Sequence, residues 1–96
     1  MTTHTGQIAW KQISVSTKMA VGARQACLTD SGCRFKVLRT SRYVEVTYEP
    51  GLDLYSVDFF RIKRGTQERI ALGSHSGVYA DMLSDIVYSL CHQENN

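Results

Sequence analysis

A chain of 96 residues with 43% hydrophobic and 21% charged side chains makes one small globular domain over residues 1–96 and excludes a chain disordered throughout. Eleven Lys and Arg against nine Asp and Glu leave a net charge of +2, too mild to announce a nucleic-acid binder by itself. No apolar run is long enough for a transmembrane helix, and the polar stretch 1–7 lacks the features of a signal peptide, so neither a membrane span nor secretion is expected.

The polar ends, near 1–7 and 93–96, are expected to fray. Ile8, Trp10, Ile13 and Val15 give residues 7–15 no clean period, and a short strand or an extended arm is expected there. A helix is expected over 17–29, with Ser16 as N-cap and Gly32 as the stop. Met19, Ala23, Ala26 and Cys27 recur on one face of it, and Gly22 weakens it from inside.

Strands follow. Residues 33–39 alternate, with Phe35 and Val37 against Arg34 and Lys36. Residues 43–48 alternate again, with Val44, Val46 and Tyr48 against Tyr43, Glu45 and Thr47. Glu49-Pro50-Gly51 is a turn. Residues 54–63 carry apolar side chains on both faces, which fits a central strand or a bulge near Asp58. A hairpin through Arg64-Gly65-Thr66 leads into 67–72. Residues 73–77 (Gly-Ser-His-Ser-Gly) are expected to form a loop, with Ser76 capping a second helix over 78–91. Tyr79, Met82, Leu83, Ile86 and Leu90 form its apolar stripe. Strands and helices do not alternate singly, so the expected fold is α+β: a three- to four-stranded antiparallel sheet with two helices packed on one face. Met19, Cys27, Phe35, Val37, Val44, Val46, Val57, Phe59, Tyr79, Leu83 and Leu90 are among the residues expected in its core.

The chemistry-bearing residues do not assemble into a reaction centre. No phosphate-binding glycine loop is present, and His75 has no nucleophile fixed beside it. Cys91 and His92 are adjacent on a helix and point about 100° apart, so no metal site and no cofactor are expected. The three cysteines, Cys27, Cys33 and Cys91, are odd in number and form no C-x-x-C, which fits free thiols in a reducing, cytoplasmic compartment. The expectation is a protein that is not an enzyme.

Charge is more informative. Residues 1–32 carry +2, 33–73 carry +3 and 74–96 carry −3. Arg34, Lys36, Arg39 and Arg42 cluster on the first strand and its turn, and Arg61, Lys63, Arg64 and Arg69 on the later hairpin. A sheet face showing Arg34, Lys36, Tyr43 and Arg61 together could track a nucleic-acid backbone, or could simply be a solvated face. Asp81 and Asp85 lie a turn apart at the start of the second helix, where they complement its dipole or meet a basic partner. The order helix–strand–strand–strand–helix is similar to that of the double-stranded-RNA-binding fold, but the second helix lacks the lysines with which that family grips phosphates.

The run Asp53-Leu54-Tyr55-Ser56-Val57-Asp58-Phe59-Phe60-Arg61, followed by Gly77-Val78-Tyr79-Ala80-Asp81-Met82-Leu83, resembles small uncharacterised proteins of phages and other mobile elements. The stretch from Ser16-Thr17-Lys18 through Phe35-Lys36-Val37 to Tyr43-Val44-Glu45-Val46 is similar to a small domain associated with large polyvalent proteins of such elements. The resemblance implies a mobile-element origin and no catalytic residues. Inhibitors of host defence, anti-CRISPR proteins among them, are a recurrent class of such proteins and act by blocking a host complex. The leading expectation is therefore a protein-binding module that occludes a host protein or nucleoprotein complex, using Arg34, Lys36, Arg39, Arg42, Arg61, Lys63, Arg64, Asp81 and Asp85. The alternative is an RNA- or DNA-binding module using the basic sheet face. Homodimerisation through a strand edge or the Tyr43/Tyr55 face stays open.

Overall fold

The computed structural model describes residues 4–38 and 42–93. Among them run two helices, His4–Gln12 (α1) and Val15–Val21 (α2), then strands Arg24–Leu28 (β1), Gly32–Val37 (β2), Arg42–Glu49 (β3), Leu54–Ile62 (β4) and Arg69–Val78 (β5). A 3-10 turn, Ala80–Met82, leads into a last helix, Leu83–Gln93 (α3). The strands form one antiparallel meander in the order β1-β2-β3-β4-β5. The α+β class and the antiparallel sheet agree with the alternation read from the sequence, with five strands and three helices among the described residues where three to four strands and two helices were expected.

One face of the sheet is dry. Phe35 and Val37, Val44 and Val46, and Tyr55, Val57 and Phe59 are buried at alternate positions of β2, β3 and β4. The helices cover them with Ala9 and the adjoining Ile13 from α1, Val21 from α2, and Leu83, Val87, Leu90 and Cys91 from α3. The spacing i, i+4, i+7, i+8 in α3 is that of one helical face. Trp10 meets Phe35 edge-on at 5.0 Å, and the Lys18 ammonium lies 4.0 Å from the Trp10 ring centre.

The N-terminal third departs from the sequence expectation. Residues 7–15 are not extended, because α1 starts at His4 and seats Ala9 and Ile13, four apart, on the sheet. Ser14, not Ser16, caps α2: its hydroxyl accepts from the Thr17 N–H at 3.2 Å. The Ser14 N–H donates to the Ser84 hydroxyl at 2.8 Å, which ties the α1–α2 corner to α3. The helix stops at Gly22 rather than at Gly32. Gly22 takes φ 67°, its N–H donates to the Met19 carbonyl, and the Ala23 N–H donates to that of Lys18. This paired closure requires a left-handed residue, and glycine adopts that conformation at the least steric cost. The chain beyond it is released to become the edge strand β1. Met19 (77% exposed) and Cys27 are therefore on the surface rather than in the core.

The C-terminal third differs too. Residues 73–77 are not a loop but the continuation of β5, with Phe59 opposite Gly73, Asp58 opposite Ser74 and Val57 opposite His75. On an edge strand such polar side chains can face water, so their hydropathy does not report the pairing. The register shifts twice, between Phe59 and Phe60 and again between Tyr55 and Val57. Because β5 runs to Val78, Tyr79 is extended, is 61% exposed and precedes the helix instead of joining its stripe. No helix among the described residues is long and apolar enough to cross a membrane.

Gly32 holds the tightest backbone approach. A Cβ there would fall onto the Val46 carbonyl oxygen of β3. From the other side, a Cβ on Gly6 would lie 2.5 Å from the Gly32 carbonyl oxygen. Gly51, in the β3–β4 turn, has nothing within 4 Å of the corresponding position. Gly32→Ala is expected to lower stability by more than about 3 kcal/mol, and Gly51→Ala to change it by less than about 0.5 kcal/mol. Paired chemical-denaturation curves check this contrast.

Candidate functional site

The face of the sheet away from the helices gathers charge around two aromatic rings. The register sets Arg34, Glu45, Asp58 and Ser74 in one row across four strands, and Lys36, Tyr43, Phe60 and Ala71 in the next. Phe60 lies on this uncovered face, yet it is only 3% exposed. Its neighbours explain that. Tyr43 stacks on it at 5.5 Å with planes 12° apart, and the Arg69 guanidinium lies 4.1 Å from its ring centre. Arg69 also reaches Glu45, with an N···O distance of 2.9 Å. The Lys36 ammonium approaches Tyr43 at 5.8 Å. A hollow of about 210 Å³ lies among Arg34, Tyr43, Phe60, Ile62 and Arg69.

The residues singled out from the sequence divide among several places. Arg34 and Lys36 belong to this face. Arg42 and Arg61 do not: they pair directly across β3 and β4 and share the parity of Val44 and Phe59, so they lie on the helix side of the sheet at its end. The expected grouping of Arg61 with Arg34, Lys36 and Tyr43 is therefore corrected by a shift of one residue in strand parity. Lys63 and Arg64 are exposed at the β4–β5 connection. Asp81 lies in the 3-10 turn and Asp85 in the first turn of α3, both exposed, on different elements rather than one helix. Arg39 lies outside the described residues. The sequence reading missed Glu45, Phe60 and Arg69 as members of the cluster. Phe60 reads as part of a second core face; alternation along β4 puts it on the open face, and Tyr43 beside it with Arg69 over its ring is what buries it.

A second concavity, a cleft of about 560 Å³, opens on the helix side at the other end of the sheet. Ile8 and Gln12 of α1 form one wall. Tyr48, Tyr55 and Tyr79 bring three rings, and Asp53 and Asp81 bring two carboxylates. Asp53 is held in place. Its N–H donates to the Glu49 carbonyl at 2.9 Å, its φ is 56°, and its carboxylate accepts from the Tyr48 hydroxyl at 2.6 Å. Asparagine and aspartate are the side chains that best tolerate this backbone region. Tyr48 and Tyr55 stand 5.3 Å apart. The hydrogen bond to Asp53, then burial, then the negative charge of Asp53 push the Tyr48 phenol above its ordinary range. Burial, followed by the Asp53 charge, does the same to Tyr55.

The buried Cys33 thiol is held in its protonated form. Burial pushes Cys33 up to about 12, with nearby Lys18 opposing the shift and Glu45 adding to it. Among the described residues no group of three or more His, Cys, Asp or Glu converges to hold a metal ion. No family model, curated protein or solved structure matches the chain.

These shifts set a pH dependence. The folded state holds the protons of Cys33, Tyr48 and Tyr55 more tightly than the unfolded chain does. The stability they confer is complete well below pH 9, where a free thiol is half ionised, and falls as the pH rises through that value toward the Cys33 value of about 12. Melting temperature is thus expected to fall above pH 9, and less steeply in Cys33→Ala than in the parent. Thiol labelling at pH 8 should modify exposed Cys27 and spare Cys33 and Cys91 until the chain is unfolded.

Proposed function

We propose that this chain is a non-enzymatic protein-binding module, and that the open sheet face around Tyr43, Phe60 and Arg69 is its interface. The observation that carries this reading is the alternation of charge on that face. Arg34, Lys36 and Arg69 are interleaved with Glu45 and Asp58 on neighbouring strands. A phosphate backbone would meet both carboxylates as repulsion, whereas a protein surface of mixed charge can complement both signs. The ring pair favours a protein as well. Tyr43 and Phe60 are stacked on each other and Arg69 occupies a face of Phe60, so the rings present a packed edge rather than platforms for bases. An arginine and aromatic centre with a charged rim is the composition common in protein–protein hot spots.

The resemblance of the 53–61 and 77–83 runs to small mobile-element proteins supplies the partner class: a host protein or nucleoprotein complex, blocked by occlusion. Lys63 and Arg64, exposed at the β4–β5 connection, would extend the interface at one end as a basic rim, with Arg42 and Arg61 on the helix side of that same end. The alternative of a nucleic-acid module draws on this same basic end.

Capture from host lysate on the tagged protein, with and without nuclease, separates the two readings. A protein retained after nuclease, and released at least about tenfold more readily by Arg34→Glu/Lys36→Glu at unchanged melting temperature, is the expected result. Loss of capture with nuclease, together with affinity that falls steeply with salt, would transfer the function to nucleic-acid binding.

A further inference from the structure

We propose that the cleft between α1 and the Tyr79–Asp81 segment is a binding site for an arginine side chain presented by a basic segment of a partner protein. The site is on the helix side of the sheet, separate from the open face, and does not depend on it.

Its chemistry selects a cation. Three tyrosine rings and the carboxylates of Asp53 and Asp81 line it, and none of the described lining residues is Lys or Arg. The nearest turns add to the same sign: Asp30 and Glu49 lie at this end of the sheet, and 29–32, 49–54 and 79–82 contain no basic residue. Tyrosine faces attract cations, and carboxylates beside them strengthen the field. Guanidinium fits better than ammonium because it is planar, can lie on a ring and can give two parallel hydrogen bonds to one carboxylate.

The rim points to a macromolecule rather than a free small cation. Ile8 is 39% exposed and Tyr79 61% at the cleft, and Met82, 43% exposed, follows Asp81 directly. Large apolar side chains gathered at the mouth of a charged cleft form the surround that a protein segment covers on docking. The Asp53 carboxylate is already oriented by the Tyr48 hydroxyl, so little ordering is needed when the guanidinium arrives.

The test is an amide chemical-shift titration of the full chain with a blocked pentapeptide carrying a central arginine, and with the same peptide carrying citrulline. The expected result is a saturable shift centred on Ile8, Asp53 and Tyr79 with the arginine peptide. Affinity should be at least about tenfold weaker with citrulline, and weaker by the same factor in Asp53→Asn/Asp81→Asn. Arg34→Glu/Lys36→Glu should leave the titration unchanged, which separates this site from the open face. Tyr79→Ala, at an exposed position, should weaken binding without altering the melting temperature and stands in if the aspartate variant does not fold. Equal response to both peptides, no saturable shift at the cleft, or full affinity in the aspartate and Tyr79 variants would overturn the proposal. A concentration-dependent dimer that disappears in Asp53→Asn/Asp81→Asn would also overturn it, since the occupant would then be the basic end of a second copy.

Discussion

Three stretches of backbone meet at Gly32, and the rest of the molecule is arranged around that meeting. The strand β2 starts there against β3, so closely that Gly32 leaves no room for a side chain beneath the Val46 carbonyl. The first turn of α1 presses on it from the helix side, with the Gly6 N–H donating to the Thr29 carbonyl at 3.1 Å. Thr29 completes the junction: its hydroxyl accepts from the Gly32 N–H, and its N–H donates to the Gly32 carbonyl. A helix fixed this near the sheet can place Ala9 and Ile13 in the core and Ile8 and Gln12 along a cleft wall. With bulkier residues at Gly6 and Gly32, α1 would stand further out, and both the core contact and the cleft would change.

From that anchor, strand parity sorts the chemistry. On β2, β3 and β4 one set of alternate residues is apolar and buried, and the other set carries Arg34, Lys36, Glu45 and Asp58. The sheet is thus dry on one face and charged on the other. Phe60 breaks the rule, because it is apolar on the charged face. Its burial is achieved locally, by Tyr43 beside it and the stem and guanidinium of Arg69 above it. The same contacts hold Arg69 near Glu45, so the apolar exception organises the polar cluster.

The parts of this fold legible in the sequence were those governed by local period. The strands around Phe35, Val44 and Val57 follow from alternation, and the later helix from its stripe at Leu83, Ile86 and Leu90. Elsewhere the deciding contact is distant in the chain or depends on one residue's conformation. Gly22 reads as a weak point in a long helix until its left-handed geometry and the two bonds to Lys18 and Met19 make it the terminus. Residues 73–77 read as a loop because their partner, β4, lies outside any local window. Arg34 and Lys36 were placed correctly by alternation alone. Arg61 was not: alternation along β4 runs unbroken from Tyr55 through Phe59 and sets Arg61 on the helix side, because the bulge the sequence allowed near Asp58 is in β5 rather than in β4. The cleft had no sequence signal at all: α1, the β3–β4 turn and the residues after β5 meet only in the folded chain.

The same reasoning shows why block sums of charge along the chain conceal the polarity of the molecule. In a meander, successive turns fall at alternate ends of the sheet. The end of β2 at Val37, the start of β3 at Arg42 and the connection around 62–69 share one end, and the connections around 29–32, 49–54 and 79–82 share the other. The first end brings together Arg42, Arg61, Lys63, Arg64 and Arg69 with the single acid Glu68, whereas the second brings together Asp30, Glu49, Asp53 and Asp81. The eight residues of β3 separate the ends by roughly 25 Å, well beyond the screening length at physiological salt. Each end therefore acts on an approaching partner with its own sign, although the chain as a whole is close to neutral. A partner that carries both signs at that separation is oriented before it touches, with its basic part toward the tyrosine cleft and its acidic part toward the β4–β5 connection. Topology, rather than composition, turns a charge of +2 into two distinct surfaces.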